Sequence, residues 1–446
     1  MGTVLSPRQL LERLYRAMIV ALQPAVAVAD ALDTILTGKT PVARLHLLAI
    51  GKAASAMTRA AQRWCTEHGI LVIGGLSISH AEDTVRGVAA LSADHPMPGA
   101  GSRAAAYALG RYVDEQIGRG ERVIVLLSGG ASALIGAARD GIAERDYMEA
   151  FAALLDAGLS IDDMNHLRRR ISRWGGGRLG AALQSRGALV NVLAISDVIG
   201  DDPAMIGSGP CVPDTANERD IELALERGTF DSDVRARLRA MLLRAPDPSA
   251  PVRATPIPHD IVSSNIVALE SLRALAAAEP GAIDVRVVDA PMRGNAHASG
   301  AMIAHRLLHE AQLLRSSRAP VRDVVVCWGG EPTVSVPRGA PAGGRMQALS
   351  LAAAKVLHEA GVAARGISLL AAGTDGRDGS TDAAGAIVDA TTWHAIATTG
   401  RDPETALATL RSSEALRAAD ALLPAFVSGT NVNDVVVGMV RAGDVR

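Results

Sequence analysis

The sequence predicts an α/β protein built as two lobes. Short apolar runs alternate with longer, alanine-rich helical stretches along the chain, which is the rhythm of parallel sheets covered by helices. The chain has 446 residues, and a single hydrophobic core rarely grows beyond about 300 residues. Two separate cores are therefore expected.

The predicted elements begin with a helix, because apolar residues recur at helical spacing at Leu11, Leu14, Met18 and Leu22. The buried strands of the first lobe are predicted at 45–50, 70–73, 123–127 and 189–195. Those of a second α/β lobe are predicted at 260–262, 284–288, 323–328 and 367–371. The segment 245–258 is rich in proline and small residues, so we expect it to link the two lobes.

Composition argues against several classes of function. Hydrophobic residues make up 48% of the chain and aromatic residues only 2%, with a net charge of -2. A nucleic-acid partner is not expected, because single strands are bound by aromatic rings beside a basic groove. No apolar run is long enough to predict a membrane span. The three cysteines lie far apart without a C-x-x-C pair, which favours a cytoplasmic protein.

Glycine-rich loops directly after predicted strands are the candidate binding sites, because ligands bind at the carboxyl ends of parallel strands. Strand 123–127 leads into Ser128, Gly129, Gly130 and Ser132. Backbone amides exposed by glycine at a helix start suit a phosphate, although a tight turn without a ligand is an equal alternative. Lys52 follows strand 45–50 and either meets a phosphate or is simply solvated.

Aspartates follow other predicted strands. Asp197 and Asp201 lie in the loop 195–210, and Asp375 lies in the loop 373–385. Mg²⁺ bound with a nucleotide takes one or two protein carboxylates, so these three are the candidate metal ligands. Capping of turns and helices is the alternative role for each of them.

The second lobe contributes two further loops. Gly343 and Gly344 precede Arg345, and Glu331 follows strand 323–328. The segment 428–434 is predicted to open the final helix. No G-x-x-x-x-G-K-[ST] motif occurs, which excludes a P-loop NTPase, and no G-x-G-x-x-G follows the first strand, which disfavours a nicotinamide-dependent enzyme.

Taken in order, these loops resemble the type-2 glycerate kinases, a family with a DUF4147 and a MOFRL module that formerly carried the label hydroxypyruvate reductase. The resemblance covers nearly the whole chain. Its motifs are Gly51-Lys52-Ala53, His95-Pro96, Ser128-Gly129-Gly130, Asn165 with Arg168, Gly176-Gly177-Arg178, Ser196-Asp197-Val198, Ser208-Gly209-Pro210, Gly329-Gly330-Glu331, Gly343-Gly344-Arg345, Gly373-Thr374-Asp375 and Gly429-Thr430-Asn431-Val432-Asn433-Asp434.

The resemblance implies a Rossmann-like domain over 1–250, completed by the C-terminal segment 424–446, and a smaller α/β MOFRL-type domain over 259–423. It implies an active-site cleft between them that binds ATP, Mg²⁺ and a small hydroxy acid, glycerate or a close relative. A homodimer stays an open alternative.

The resemblance also implies roles for individual residues. Lys52 and Arg345 are the leading catalytic candidates, joined by Asp197 and Asp375. The phosphates of the nucleotide are assigned to Ser128, Gly129, Gly130, Ser132, Gly343 and Gly344. The substrate is assigned to Arg168, Glu331, Asn431, Asn433 and Asp434.

Departures from the family pattern keep two alternatives open. Gly175 stands where the family usually has lysine, Met346 and Ala348 replace polar residues after Arg345, and Asn295 replaces a usual glutamate. Trp328 and the segment 426–428 also differ from the family pattern. These changes indicate an altered hydroxy-acid substrate or a weakly active or inactive ligand-binding paralogue. A hydroxypyruvate reductase is the less favoured alternative.

Overall fold

The structure is a computed structural model, and it describes residues 5–37, 42–81, 83–244, 255–281, 283–316, 322–337, 339 and 341–445. Contacts between the described residues divide the chain into two compact units. We call Pro24–Val262 the parallel unit, and Met1–Gln23 together with Ser263–Arg446 the mixed unit.

The described strands, in chain order, are β1 Arg44–Ile50, β2 Leu71–Ser79, β3 Ala89–Ser92, β4 Arg122–Leu127, β5 Leu189–Ile195, β6 His259–Ser263, β7 Asp284–Val287, β8 Val324–Gly330, β9 Ile367–Gly373, β10 Ala383–Asp389, β11 Leu422–Pro424 and β12 Asp434–Val440. Each of the eight runs predicted to be strands lies at a strand of this set.

The described α-helices are α1 Pro7–Leu22, α2 Pro24–Leu36, α3 Ala54–Glu67, α4 Ala100–Gln116, α5 Ala131–Leu134, α6 Glu144–Asp156, α7 Ile161–Ile171, α8 Arg178–Ser185, α9 Glu218–Arg227, α10 Ser232–Arg244, α11 Asn265–Ala277, α12 Ala296–Ser316, α13 Arg345–Ala360, α14 Thr392–Thr398, α15 Pro403–Ala408, α16 Ser412–Ala418 and α17 Ala442–Val445. Short 3-10 helices occupy Ile206–Ser208 and Gly361–Ala364.

The parallel unit contains a six-stranded sheet in the order β3-β2-β1-β4-β5-β6. The pairs β1–β2, β1–β4, β2–β3 and β4–β5 are all parallel. This is the strand order of the doubly wound dinucleotide-binding fold, so the prediction of a Rossmann-like parallel sheet is confirmed. Strands β1 and β4 are almost wholly buried, as expected for strands covered by helices on both faces.

The mixed unit contains a six-stranded sheet in the order β11-β10-β9-β12-β8-β7. Only the pair β7–β8 is parallel, whereas β12 pairs antiparallel with both β8 and β9. Helices α12 and α13 contribute many residues to its hydrophobic core. The second lobe is therefore α/β, as predicted, but its sheet is mixed.

Three placements differ from the predictions. The segment 424–446, expected to complete the first lobe, contains the central strand β12 of the mixed sheet, because its run of valines is buried on both faces. Residues 434–440 are thus a strand and not the predicted final helix. The predicted strand 260–262 is the edge strand β6 of the first sheet, and helix α1 belongs to the mixed unit.

The predicted linker 245–258 lies outside the described residues up to position 254. Its described end already contacts the first sheet, because the backbone N–H of Val192 donates to the carbonyl of Pro258 at 2.9 Å. The boundary between the two units falls between residues 262 and 263, before the last residue of β6.

Helix α1 confirms the predicted amphipathic pattern, since Leu11, Leu14, Met18 and Leu22 are all buried. Among the helices that the structure describes, none alone has both the length and the apolar composition needed to cross a membrane; α1 and α2 meet both criteria only when taken together.

One glycine sets how closely α12 and α13 approach. A Cβ atom at Gly300 would lie 2.1 Å from the backbone carbonyl oxygen of Leu349. We expect Gly300→Ala to lower the free energy of unfolding of the mixed unit by about 1–3 kcal/mol, because overpacking outweighs the better helix propensity of alanine. Urea denaturation followed by circular dichroism measures the change.

Gly443→Ala is the matched control, because Gly443 is also helical and a Cβ atom there would have no neighbour within 4 Å. Equal midpoints for both variants would contradict the close packing of α12 on α13.

Candidate functional site

In the parallel unit, the predicted phosphate loop follows β4 and lies beside the loop that follows β1. The N–H of Lys52 donates to the carbonyl of Gly129 at 2.9 Å, and the N–H of Ala53 donates to Ser128 Oγ at 3.0 Å. Ser128 is 1% exposed. Strands β1 and β4 mark the point at which the strand order reverses, which is where open α/β sheets bind ligands.

Lys52 lies against this phosphate loop together with His95. A Cβ atom at Gly130 would be 3.1 Å from His95 Nε2 and 3.3 Å from Lys52 Cγ. Desolvation lowers the pKa of His95, and the positive charge of Lys52 lowers it further, so the imidazole is neutral at pH 7. A lysine and a neutral histidine thus lie next to backbone that carries no side chain.

Asp197 approaches the same loop from the end of β5. A Cβ atom at Gly129 would lie only 2.2 Å from Asp197 Oδ2, so any other residue at 129 would displace this carboxylate. The helix that follows the loop, α5, has four residues. Its dipole is therefore small. A ligand at this loop would be bound mainly by backbone amides and nearby charged side chains, and less by the dipole of a helix terminus.

The hydroxyl of Ser132 belongs to a chain of polar side chains. Ser132 Oγ lies 2.7 Å from Ser208 Oγ, which donates to Asn165 Oδ1 at 2.8 Å. Because Ser208 has one hydroxyl proton and gives it to Asn165, Ser132 must donate to Ser208. The oxygen of Ser132 then faces any ligand as an acceptor, which suits a cation or a donor better than a phosphate.

Asp201 shows a feature that favours a cation. Its Oδ1 is buried and has no hydrogen-bond partner among the residues described. Its backbone also has a φ of 55°, which is uncommon for a residue with a side chain. The described part of the chain contains no cluster of three or more His, Cys, Asp or Glu side chains that could hold a metal by itself.

Arg168, predicted to bind substrate, lies on an aromatic ring. Its guanidinium carbon is 4.2 Å from the centre of the Phe151 ring, in a cation–π contact. Desolvation lowers the pKa of Arg168, and its Nε has no partner among the described side chains. In this structure, therefore, Arg168 packs against Phe151 within the helical part of the parallel unit.

The mixed unit contains a cavity of about 820 Å³. Its lining includes seven of the residues predicted for the site, namely Gly343, Gly344, Arg345, Asp375, Asn431, Asn433 and Asp434. The carboxyl end of β9 and the amino end of β12 meet here because these strands are antiparallel neighbours. The structure therefore brings together loops that are separated by up to 91 residues in sequence.

Arg345 is held by two carboxylates at this cavity. Its Nε lies 2.6 Å from Asp434 Oδ2, and its Nη1 lies 2.9 Å from Glu331 Oε1. Burial lowers the pKa of the Arg345 guanidinium, but the two carboxylates outweigh burial and raise it. Burial raises the pKa of Asp434 to about 7 even though Arg345 opposes the shift.

Asp378 caps helix α13, which begins at Arg345. Its carboxylate accepts the backbone N–H groups of Met346 at 3.1 Å and Gln347 at 2.8 Å. Burial raises the pKa of Asp378, and those two N–H groups oppose the rise. A Cβ atom at Gly344 would lie 2.1 Å from this carboxylate, so Gly344 is required by the cap whether or not it also binds a phosphate.

Asp375 and Asn431 are exposed at the cavity, and each accepts a hydrogen bond within its own turn. Asp375 Oδ1 accepts the N–H of Arg377 at 2.9 Å, and Asn431 Oδ1 accepts the N–H of Asn433 at 3.2 Å. Asn433 is buried with a φ of 66°, and its carbonyl accepts from the Thr374 hydroxyl at 2.7 Å. These turns fix the backbone while leaving Asp375 open to a ligand.

Several residues near the phosphate loop of the parallel unit and the cavity of the mixed unit were not assigned a role from the sequence. They are His95, Asn165, Ser208, Asp378 and Tyr15. His95, Asn165 and Ser208 lie in the motifs of the resemblance, which was the available signal. Tyr15 donates to the carbonyl of Gly373 at 2.6 Å from helix α1, a contact that no sequence spacing indicates.

Most of the residues that depart from the family pattern take part in packing or in local hydrogen bonds. Met346 and Trp328 are buried in the core of the mixed unit, and Asn295 accepts the N–H of Ala298 at 3.1 Å at the start of α12. Ala348 lines the cavity. A Cβ atom at Gly175 would lie 3.3 Å from the carbonyl of Ser208, close to the chain of hydroxyls.

The raised pKa of Asp434 predicts a pH-dependent stability. Between pH values of about 4 and 7 the folded state holds a proton on Asp434 that the unfolded chain releases, so stability falls as the pH rises. Urea titrations from pH 4.5 to 7.5 should show that Asp434→Asn removes a slope of up to about 1.4 kcal/mol per pH unit.

The control is Asp382→Asn, at an exposed carboxyl whose pKa is lowered by its hydrogen bond from Arg417. The ionisation of Asp382 should not lower the stability of the folded protein as the pH rises. An unchanged slope in Asp434→Asn would show that Asp434 is ionised throughout this range.

Comparisons with known proteins identify relatives along nearly the whole chain. A D-glycerate 2-kinase from Thermotoga maritima is 31% identical over 98% of this chain and 99% of its own length. A relative from Agrobacterium vitis whose name refers to hydroxypyruvate reductase is 32% identical over 96% of this chain and 94% of its own length.

A crystal structure of glycerate kinase from Thermotoga maritima matches this fold with a TM-score of 0.82 and 28% identity, covering 97% of this chain and 99% of that chain. Two family profiles also match: the domain of unknown function DUF4147 over residues 10–243, and the MOFRL family over residues 324–434. The chain therefore belongs to the type-2 glycerate kinase family, which combines these two modules.

Proposed function

We propose that this protein is an ATP-dependent kinase that phosphorylates a hydroxyl of glycerate, giving 2-phosphoglycerate, or of a close three-carbon relative. The observation that carries this proposal is Lys52 beside the side-chain-free backbone of Gly130, at the strand-order reversal of a parallel sheet. The relatives named glycerate 2-kinase and glycerate kinase support the phosphotransferase reaction with an alcohol acceptor.

In the proposed reaction, the substrate hydroxyl oxygen forms a bond to the γ-phosphorus as the bond from that phosphorus to the β–γ bridging oxygen breaks. ADP leaves, and the hydroxyl proton passes to a carboxylate, for which Asp197 and Asp375 are both candidates. The transition state is stabilised mainly by alignment and charge. Lys52 and Arg345 would neutralise the transferring group or the substrate carboxylate.

Backbone and hydroxyl groups of the loop from Ser128 to Ser132 would hold phosphate oxygens in this proposal. The geometry refines their roles. Ser128 Oγ accepts a backbone N–H and keeps its own proton to donate, whereas Ser132 gives its proton to Ser208. The hydroxyl of Ser128 and the amides of Gly129 and Gly130 are therefore better phosphate donors than Ser132, which would contribute an acceptor oxygen.

Mg²⁺ fits the carboxylates of the parallel unit. Asp201 has a buried oxygen without a partner among the described residues, and Asp197 lies at the phosphate loop where only glycine leaves room for it. One or two such carboxylates are what Mg²⁺ takes when it binds with a nucleotide. Bound Mg²⁺ would neutralise phosphate charge. Asp375 is a third candidate ligand.

The departures from the family pattern do not remove the groups that this reaction needs. Lys52, Arg345 and Asp197 are present, and two of the apolar replacements, Met346 and Trp328, pack in the core. Their packing supports an active enzyme over an inactive paralogue. Gly175 and Ala348 lie close to polar groups, so they are the positions where substrate preference could differ from that of relatives.

The first test removes the two cations singly. We expect Lys52→Ala and Arg345→Ala each to lower kcat/KM for ATP-dependent phosphorylation of glycerate by at least about a hundredfold, because each loses charge stabilisation of the transition state. A coupled assay of ADP release measures the rates.

Lys355→Ala and Arg411→Ala are the matched controls, because both cations are paired on the surface of the mixed unit, with Glu404 and Glu414. Exposed ion pairs are worth less than about 1 kcal/mol, so these variants should keep their activity within about fivefold. Full turnover in both Lys52→Ala and Arg345→Ala would refute the proposed roles.

A second assay separates the kinase from a reductase. Incubation with NADH and hydroxypyruvate should leave the cofactor absorbance constant, because the loop after β1 lacks the dinucleotide motif. Oxidation of NADH at rates comparable to phosphorylation would favour the reductase.

A further inference from the structure

The cavity of the mixed unit is much larger than a three-carbon acid requires. Its volume of about 820 Å³ lies in the range of about 300–1,000 Å³ found for pockets that enclose drug-sized ligands. Glycerate has only seven heavy atoms and would fill a small part of this space. The cavity therefore has the dimensions of a larger ligand.

The lining of this cavity has two chemically different parts. The polar lining comprises Arg345, Asp375, Asn433 and Asp434. The apolar lining comprises Pro332, Val334, Val336, Pro341 and Leu410. Val336 is 65% exposed, so most of its side chain is accessible to a ligand in the cavity.

Leu410 is positioned by the end of helix α15. Its φ of 59° is the left-handed conformation that closes a helix C-terminus, and the N–H of Arg411 donates to the carbonyl of Ala406 at 2.8 Å. This helix end places a leucine in the lining of the cavity.

We propose that the apolar lining of this cavity binds the base and ribose of the nucleotide substrate. This inference rests on the proposed function, because it presumes that a nucleoside triphosphate is the phosphoryl donor. A flat purine presents two apolar faces and needs aliphatic contacts on both, while Arg345 in the polar lining supplies positive charge for the phosphate end. A three-carbon acid has no group that would use the apolar lining.

The test compares a ligand that has a base with one that has none. Isothermal titration calorimetry of the full-length protein with Mg-ADP and with inorganic tripolyphosphate gives a Kd for each. Val336→Ser and Leu410→Gly are both uncharged changes, so they do not alter repulsion of phosphate. Leu410→Gly also suits the positive φ, so it is compatible with the fold.

We expect each variant to raise the Kd of ADP by about three- to tenfold, because part of an aliphatic contact is lost. The Kd of tripolyphosphate should stay unchanged. Val362→Ser is the control, since Val362 is 71% exposed in the same unit but does not line the cavity. It should leave both constants unchanged.

The outcomes separate this inference from the proposed function. If ADP binds the wild type and both variants equally, the base binds elsewhere and the inference is wrong, while the kinase proposal stands. If both variants weaken tripolyphosphate as much as ADP, the apolar lining does not select the base, and the inference is again wrong. If the wild type binds no ADP at all, both proposals are refuted.

Photolabelling with 8-azido-ADP locates the base directly. Label is expected on tryptic peptides that contain residues 332–342 or 410. Label confined to peptides with residues 128–134 or 195–210 would overturn the inference.

Discussion

The candidate site residues of each unit depend on the same packing constraint: an aspartate lies against the α-carbon of a glycine just before a helix. Asp197 occupies the space beside Gly129, and Asp378 occupies the space beside Gly344. A Cβ atom at either glycine would overlap the carboxylate, at 2.2 Å and 2.1 Å respectively. These glycines therefore position carboxylates, and any phosphate binding by their amides comes in addition.

The two candidate catalytic cations differ in their surroundings, and the difference bears on how each could act. Arg345 is pinned by Asp434 and Glu331, so its direction is determined before any ligand arrives. Lys52, in contrast, is exposed beside Gly130. A preorganised guanidinium suits a fixed anion, whereas a mobile ammonium can follow a phosphoryl group as it moves.

Packing around Asp378 also accounts for replacements that set this chain apart from the family pattern. Met346 comes directly after Arg345, yet its side chain lies in the core because the Asp378 cap directs this turn of α13 inward. Gln347, the one polar residue kept beside it, is fully buried and donates to the carboxylate of Asp378 and the hydroxyl of Thr381. Divergence in sequence at this turn thus changes the core at Met346 and the lining of the cavity at Ala348.

How much could be predicted from the sequence depends on how local the signal was. The eight predicted strands, the helix α1 and the loops around Lys52, Ser128 and Arg345 follow from apolar periodicity and from glycines after buried runs, which are local properties. The central position of β12 was missed because a valine run indicates burial without specifying its partners. Pairing of Arg345 with Asp434 was also missed, since 89 residues separate them.

The sequence by itself therefore determined the class of fold, the family and the loops that contain the candidate site residues, because the signal for each of them lies in short stretches of chain. Only the tertiary structure decided which of those loops meet, that Arg168 rests on Phe151, and that the pKa of Asp434 rises to about 7. Burial and contact are properties of three-dimensional packing, and residues distant in sequence acquire them only when the two sheets form.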